Sequence, residues 1–129
     1  MMKKYWLIWL LGLLGLLACG ADVPMKISQA DLIKRQAGEK EFLLLDVRSA
    51  LEYRRGYIKG ATWIPHGEIN ERAEDLEAFK DKEVVVYCQS GIRSGKAIRV
   101  LKSKGFTRVF QLDGDFGAWI RAGRPVAKP

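Results

Sequence analysis

The sequence predicts a three-layer α/β domain, a five-stranded, mainly parallel sheet flanked by helices. Three observations predict it. Strand-like apolar runs alternate with segments of helical spacing from Ser28 onward. The runs Phe42–Val47 and Glu83–Tyr87 are close to continuously apolar, as in strands buried on both faces. Strands separated by helices pair in parallel through right-handed crossovers.

Each element has its own local signal. Ser28-Gln29-Ala30-Asp31 is a helix start, and Gly38 can end that helix. Phe42–Val47 is the first clear strand. Ser49-Ala50-Leu51-Glu52 is a capping box that opens a short helix, closed by Gly56. Ala61–Pro65 reads as a short strand. Ile69, Ala73, Leu76 and Phe79 or Lys80 fall at helical spacing. Glu83–Tyr87 is the strongest strand, with three valines in succession. Ser94–Lys104 is a helix with Ala97, Ile98 and Leu101 on its apolar face and Gly105 as its stop. Val109–Leu112 is a last strand. Phe116, Trp119 and Ile120 mark a last helix, ended by Gly123 and Pro125.

The beginning of the chain reads differently. Met1–Lys4 is short and basic, and Tyr5–Leu17 is an unbroken uncharged run. Leu16-Leu17-Ala18-Cys19-Gly20 follows. A basic start, an apolar stretch and small residues near a cut site mark an export signal. This one resembles a bacterial lipoprotein signal, since Leu-Leu-Ala-Cys fits the lipobox. The resemblance implies cleavage before Cys19 and a lipid on its thiol. The expected organisation is a signal over 1–18, a lipidated tether over 19–25 and the domain over 26–129. Gly20 after the cysteine resembles the outer-membrane sorting pattern, which implies the cell envelope, at the periplasmic face of the outer membrane. The alternative is an uncleaved anchor, although the run falls short of the usual ~20 apolar residues.

Composition bounds the partners. The 129 residues carry a net charge of +7, and without Lys3 and Lys4 the 22 basic residues become 20 against 15 acidic ones, or +5. That charge is spread out, and no basic run points to nucleic acid. Cys19 and Cys88 are the two cysteines. With Cys19 lipidated, Cys88 is a lone thiol in an exported domain and calls for an explanation. One histidine, His66, reads as a surface residue, and with one remaining thiol it makes no zinc site. No metal or organic cofactor is expected.

The explanation lies in the segment after the strongest strand. Strand Glu83–Tyr87 delivers Cys88 to its carboxyl end, where α/β sheets place their chemistry. Residues Cys88, Gln89, Ser90, Gly91, Ile92 and Arg93 are expected to curve into the next helix, their backbone N–H groups turned toward the sulfur. Gly91 permits a positive φ or a close backbone approach. The helix terminus adds positive potential and Arg93 a fixed charge. Each favours thiolate over thiol. Such a thiolate attacks electrophiles that arrive as anions, by sulfur transfer or by phosphoryl transfer.

The chain resembles the rhodanese family over roughly Ile27–Val126. Asp46-Val47-Arg48, Glu52-Tyr53 and Gly56-Tyr57-Ile58-Lys59-Gly60-Ala61 resemble its first signature. Cys88-Gln89-Ser90-Gly91-Ile92-Arg93-Ser94 resembles its active loop. Gly105-Phe106, Val109, Leu112-Asp113-Gly114 and Ala118-Trp119 resemble its closing segment. The resemblance implies a sulfurtransferase: Cys88 takes sulfur from thiosulfate or a similar small anion, carries it as a persulfide and passes it to cyanide or a thiol. It implies that loop residues Gln89 to Ser94 bind the substrate, that Arg93 binds the donor or braces the loop, and that the Ser94 hydroxyl donates to the sulfur or caps the helix. Two positions depart from the family pattern, Tyr57 where histidine is common and Asp115 where a second glycine is common. Both are expected to lie outside the loop.

Other readings share these residues. A phosphatase or arsenate reductase is one alternative, but the related phosphatases separate cysteine and arginine by five residues, whereas four stand between Cys88 and Arg93, and the shorter loop suits sulfur better. A persulfide carrier or binding module for an envelope partner would also keep Cys88. Asp46 ends a strand near the loop and could belong to the site; the favoured role is structural, with the carboxylate satisfied by Arg48 or by backbone N–H groups.

Overall fold

The structure, a computed structural model, describes residues 23–129. The expected signal over 1–18 and Cys19 lie outside the described residues.

The described chain runs β1 (Lys26–Ile27), α1 (Gln29–Ala37), β2 (Leu43–Asp46), α2 (Ala50–Arg55), β3 (Thr62–Trp63), α3 (Ile69–Arg72), β4 (Glu83–Tyr87), α4 (Ile92–Ser103), β5 (Arg108–Leu112) and α5 (Asp115–Arg121). Tighter 3-10 turns at His66–Glu68 and Ala73–Phe79 flank α3. The strand order is β1-β5-β4-β2-β3, and every pairing is parallel. One isolated antiparallel bridge joins Tyr57 to Ala127.

The two predicted caps are present. The Ser28 side chain accepts from the Asp31 N–H at 3.0 Å. Ser49 and Glu52 close a full capping box at α2. The continuous valines explain the layering. In β4, Val84 and Val86 pack with Leu43, Leu45, Ile98 and Leu101 on the face covered by α3 and α4. Val85 and Tyr87 pack with Leu44, Leu32, Phe116 and Trp119 on the face covered by α1 and α5. Both faces are dry, so no polar alternation survives in the sequence.

Two differences from expectation have local causes. The fifth strand, β1, lies at the edge beside β5 in residues 26–27. Two residues are too few to show a period. Helix α4 starts at Ile92, two residues before the expected Ser94, because Gly91 takes φ 119° as its cap residue and no side chain caps it. The connection after β4 is therefore shorter than expected, with Ile92, Arg93 and Ser94 in the helix's first turn.

Candidate active site

The parallel order places β4 between β5 and β2, so three carboxyl strand ends stand side by side. Cys88 follows β4 directly. It is 1% exposed, sunk beneath its loop. The Gly91 N–H donates to its Sγ at 3.0 Å. The left-handed backbone at Gly91 is what turns that N–H inward. A Cβ added there would lie 3.0 Å from Gln111 Nε2 and 3.1 Å from Asp115 Oδ2, so space as well as φ demands glycine. Gln89, Ser90 and Ile92 are exposed around this point.

Arg93 turns to α2. Its guanidinium grips the Glu52 carboxylate at 2.6 and 3.0 Å, a two-point pair. Glu52 holds Arg93 above its ordinary range, with burial opposing and a smaller push in the same direction from Cys88. The arginine's charge is thus largely committed, and the geometry is that of a brace from α4 to α2. In return Arg93 is the main cause that holds the Glu52 carboxyl down at about 2.

Asp46, at the end of the neighbouring strand β2, and Arg48, two residues beyond it, are 0% and 2% exposed. Arg48 Nη2 meets Asp46 Oδ2 at 2.7 Å, and its Nε reaches both carboxylate oxygens at 3.1 Å. The Arg48 backbone N–H adds a bond at 2.9 Å. The guanidinium also meets the Gly56 carbonyl at 2.6 Å and lies over the Phe116 and Tyr87 rings, 3.9 and 5.6 Å from their centroids. Both Asp46 carboxylate oxygens are engaged by Arg48. The pair welds β2 to the turn after α2.

Asp115 is the site residue that sequence reasoning missed. It was expected outside the loop, but β5 runs beside β4, and its carboxyl end delivers Asp115 directly against Cys88. Asp115 Oδ1 accepts from the Cys88 N–H at 2.9 Å and from the Ser94 hydroxyl at 2.8 Å. Oδ2 accepts from Gln111 Nε2 at 3.1 Å. Asp115 is 2% exposed and, among the described residues, is the one non-glycine with a positive φ, 54°. The strand-end rule that singled out Asp46 and Cys88 would also have found it if applied to Leu112-Asp113-Gly114-Asp115. The second departure, Tyr57, stacks on Tyr53 at 4.5 Å between ring centroids.

The Ser94 side chain does not cap α4, and its hydroxyl lies within reach of Asp115 Oδ1 at 2.8 Å and of the Gly91 carbonyl at 3.1 Å. Its oxygen stands 3.5 Å from Cys88 Sγ as the acceptor of the thiol, and Gln111 Nε2 also donates to it, at 2.8 Å. His66 is exposed on its 3-10 turn. Among the described residues no three His, Cys, Asp or Glu side chains converge on a metal position.

What this arrangement offers is one buried sulfur at the mouth of a helix, held by a backbone amide, with hydroxyl and carboxylate behind it. Comparison with known proteins gives a consistent picture. Residues 28–122 match the Rhodanese-like domain family. A relative named sulfurtransferase, from Allochromatium vinosum, is 36% identical, over 81% of this chain and 95% of its own. A tRNA uridine(34) hydroxylase of Escherichia coli is 28% identical, and the match takes in 98% of this chain but 39% of the hydroxylase. Among solved structures, a rhodanese-related protein from Thermoplasma volcanium has a TM-score of 0.71 at 31% identity, over 81% of this chain and 99% of that one.

Proposed function

The chain belongs to the rhodanese-like domain family, and from that premise we propose that it moves sulfane sulfur from thiosulfate or a similar small anion to cyanide or a thiol through a persulfide on Cys88. The observation that carries this reading is the Gly91 N–H, 3.0 Å from Cys88 Sγ at the start of α4. An amide aimed at a sulfur stabilises negative charge there, and it is already in place before charge develops.

In the first half-reaction the Cys88 thiolate attacks the outer sulfur of the donor. A new S–S bond forms to Cys88, the donor's own S–S bond breaks, and sulfite leaves with the electron pair. In the second, the acceptor attacks the outer persulfide sulfur, and Cys88 is released as thiolate. The amides of Gln89 to Ser94 would hold the persulfide's charge. Arg93 serves as brace more than as anion receptor, since Glu52 occupies it.

The test is mass analysis of Cys88 after exposure to thiosulfate, followed by addition of cyanide. One added sulfur on the Cys88 peptide, and its loss as thiocyanate, is the expected result. No added sulfur and no thiocyanate would overturn the reading. A second reading, persulfide carrier for an envelope partner, draws support from Ile92 and Leu51. These apolar side chains are 72% and 54% exposed, and they adjoin the Arg93–Glu52 pair in sequence. In that case Cys88 would load with sulfur while cyanide turnover stayed negligible.

On the separate ground that Leu16-Leu17-Ala18-Cys19-Gly20 resembles a lipobox, we propose that the domain sits at the bacterial cell envelope, on the periplasmic face of the outer membrane, through a lipid on Cys19. More than one acyl chain gives stable anchoring. Detergent partitioning of wild type and Cys19→Ser checks this. The wild type should follow the detergent phase and the variant the aqueous phase; equal partitioning would remove the lipid.

A further inference from the structure

We propose that Asp115 is a positioning residue that shares one proton with Cys88 through the Ser94 hydroxyl. The proposal deepens the sulfurtransferase reading and rests on it.

The argument starts from what a hydroxyl can do. Ser94 has one proton to give and two lone pairs. Gln111 Nε2 takes one lone pair at 2.8 Å, and the Cys88 thiol, at 3.5 Å, takes the other. The single proton has two acceptors in reach, Asp115 Oδ1 at 2.8 Å and the Gly91 carbonyl at 3.1 Å. The carboxylate is both nearer and charged, so it wins. The hydroxyl is then fully used, and its orientation is set: oxygen toward sulfur, proton toward Asp115. That orientation makes Ser94 a bridge and not a donor to the sulfur.

Charge decides what the bridge is for. The Asp115 carboxylate is met by three neutral donors: the Cys88 N–H, the Ser94 hydroxyl and the Gln111 amide. The charged and titratable groups on the surrounding elements are otherwise engaged. On α4, Arg93 is held by Glu52 of α2. On β2, Asp46 is held by Arg48. On β4, the Tyr87 hydroxyl accepts from the Ile58 N–H, and burial pushes its phenol up, so it stays neutral. A thiolate formed beside an ionised Asp115 would be a second negative charge in a nearly dry site, and that is costly. Passing the proton along the bridge avoids it. The S–H bond breaks and leaves its electron pair on Cys88 Sγ; the proton joins Ser94 Oγ, whose own proton joins Asp115 Oδ1. The site carries one negative charge before and after, and no outside base is needed.

The backbone adds an independent observation. Asp115 takes φ 54°, a region that favours glycine. Aspartate is among the residues that tolerate this region, and the turn it makes here aims the carboxylate at both the cysteine N–H and the serine hydroxyl.

The test uses the full chain and iodoacetamide, with modification followed on the Cys88 peptide so that Cys19 does not contribute. Wild type, Asp115→Asn and Asp115→Gly are compared across pH, with thermal melts as the check on folding. Asparagine keeps the shape and one acceptor; glycine relieves the backbone and removes the group. In both variants the pH midpoint of alkylation should fall by about one unit, and the pH-independent alkylation that wild type shows below its midpoint, from the form with the proton on Asp115, should be lost. A midpoint that is unchanged or higher in a folded variant would overturn the proposal. Two unfolded variants would make Asp115 a structural carboxylate and overturn it as well. Alkylation requires no sulfur donor, so failure here is distinct from failure of the sulfurtransferase reading, which the thiosulfate mass shift decides.

Discussion

Two buried carboxylates stand near the carboxyl ends of two strands that flank β4, and they are answered in opposite ways. Asp46, at the end of β2, faces a guanidinium that cancels its charge. Asp115, just past β5, faces three neutral donors: the Cys88 N–H, the Ser94 hydroxyl and the Gln111 amide. The first arrangement has nothing left over: Arg48 also spans to the Gly56 carbonyl and lies on the Phe116 ring. It is a strut. The second sets a carboxyl group with neutral partners beside a sulfur, and a buried titratable group without a counter-charge is placed to exchange a proton. Burial alone therefore does not separate scaffold from chemistry here. The partner does.

Removing the sulfur breaks the comparison most sharply. Cys88→Ser should lower thiocyanate formation from thiosulfate and cyanide by at least about a hundredfold, because a hydroxyl neither attacks sulfane sulfur nor carries it. The urea midpoint should hardly change, since serine fits the same space and can accept from the Gly91 N–H. Residual turnover above a tenth of wild type would move the chemistry away from Cys88.

Removing the guanidinium comes next. Arg48→Ala leaves the Asp46 carboxylate buried and unpaired, which costs about 3–5 kcal/mol. Asp115→Asn removes a charge and keeps most of the hydrogen bonds, so it should cost about 1.5 kcal/mol or less. Urea denaturation of the two variants measures the gap. Equal losses would erase the distinction between strut and site.

The same contrast explains what could be read from the chain alone. The caps at Ser28 and Ser49 were legible because capping is local: donor and acceptor lie three residues apart. The three valines before Cys88 marked a strand buried on both faces, and a strand's carboxyl end marked the cysteine. Strand β1 left no trace, because two residues cannot display a period. The start of α4 was misplaced because Ser94 looks like a cap; its hydroxyl is drawn instead to Asp115, twenty-one residues on. Asp115 itself lies twenty-seven residues from Cys88 and meets it only through sheet order. Arg93 was legible only as donor-binder or brace, and what the sequence does not show is the partner of the brace, Glu52, which comes from another helix forty-one residues away. What was legible rests on neighbours in sequence, and what was not rests on neighbours across the sheet.

The smallest effect concerns that last pair and extends the comparison to the rim. Glu52 and Arg93 are 27% and 28% exposed at the side chain, between the strut's full burial and open solvent. If pairing marks structure, their bond should appear as stability and depend on pH in a definite direction. Arg93 is the main cause that brings the Glu52 carboxyl from 4.5 to about 2, with the Ser49 N–H and hydroxyl helping and burial opposing. The folded value lies below the unfolded one. The contribution is therefore whole above pH 4.5 and is lost as pH falls toward about 2. Glu52→Gln keeps a polar group at the capping position but has no charge to lose. At neutral pH it should cost only about 1 kcal/mol or less, because solvent screens a pair at the rim. The stability difference between wild type and variant, followed by urea denaturation, should shrink as pH falls through the window from 4.5 to 2. A difference that stays constant would mean that Arg93 does not hold Glu52 in solution. The arginine would then be free to meet an anionic donor, and the rim would belong with Asp115 and not with Asp46.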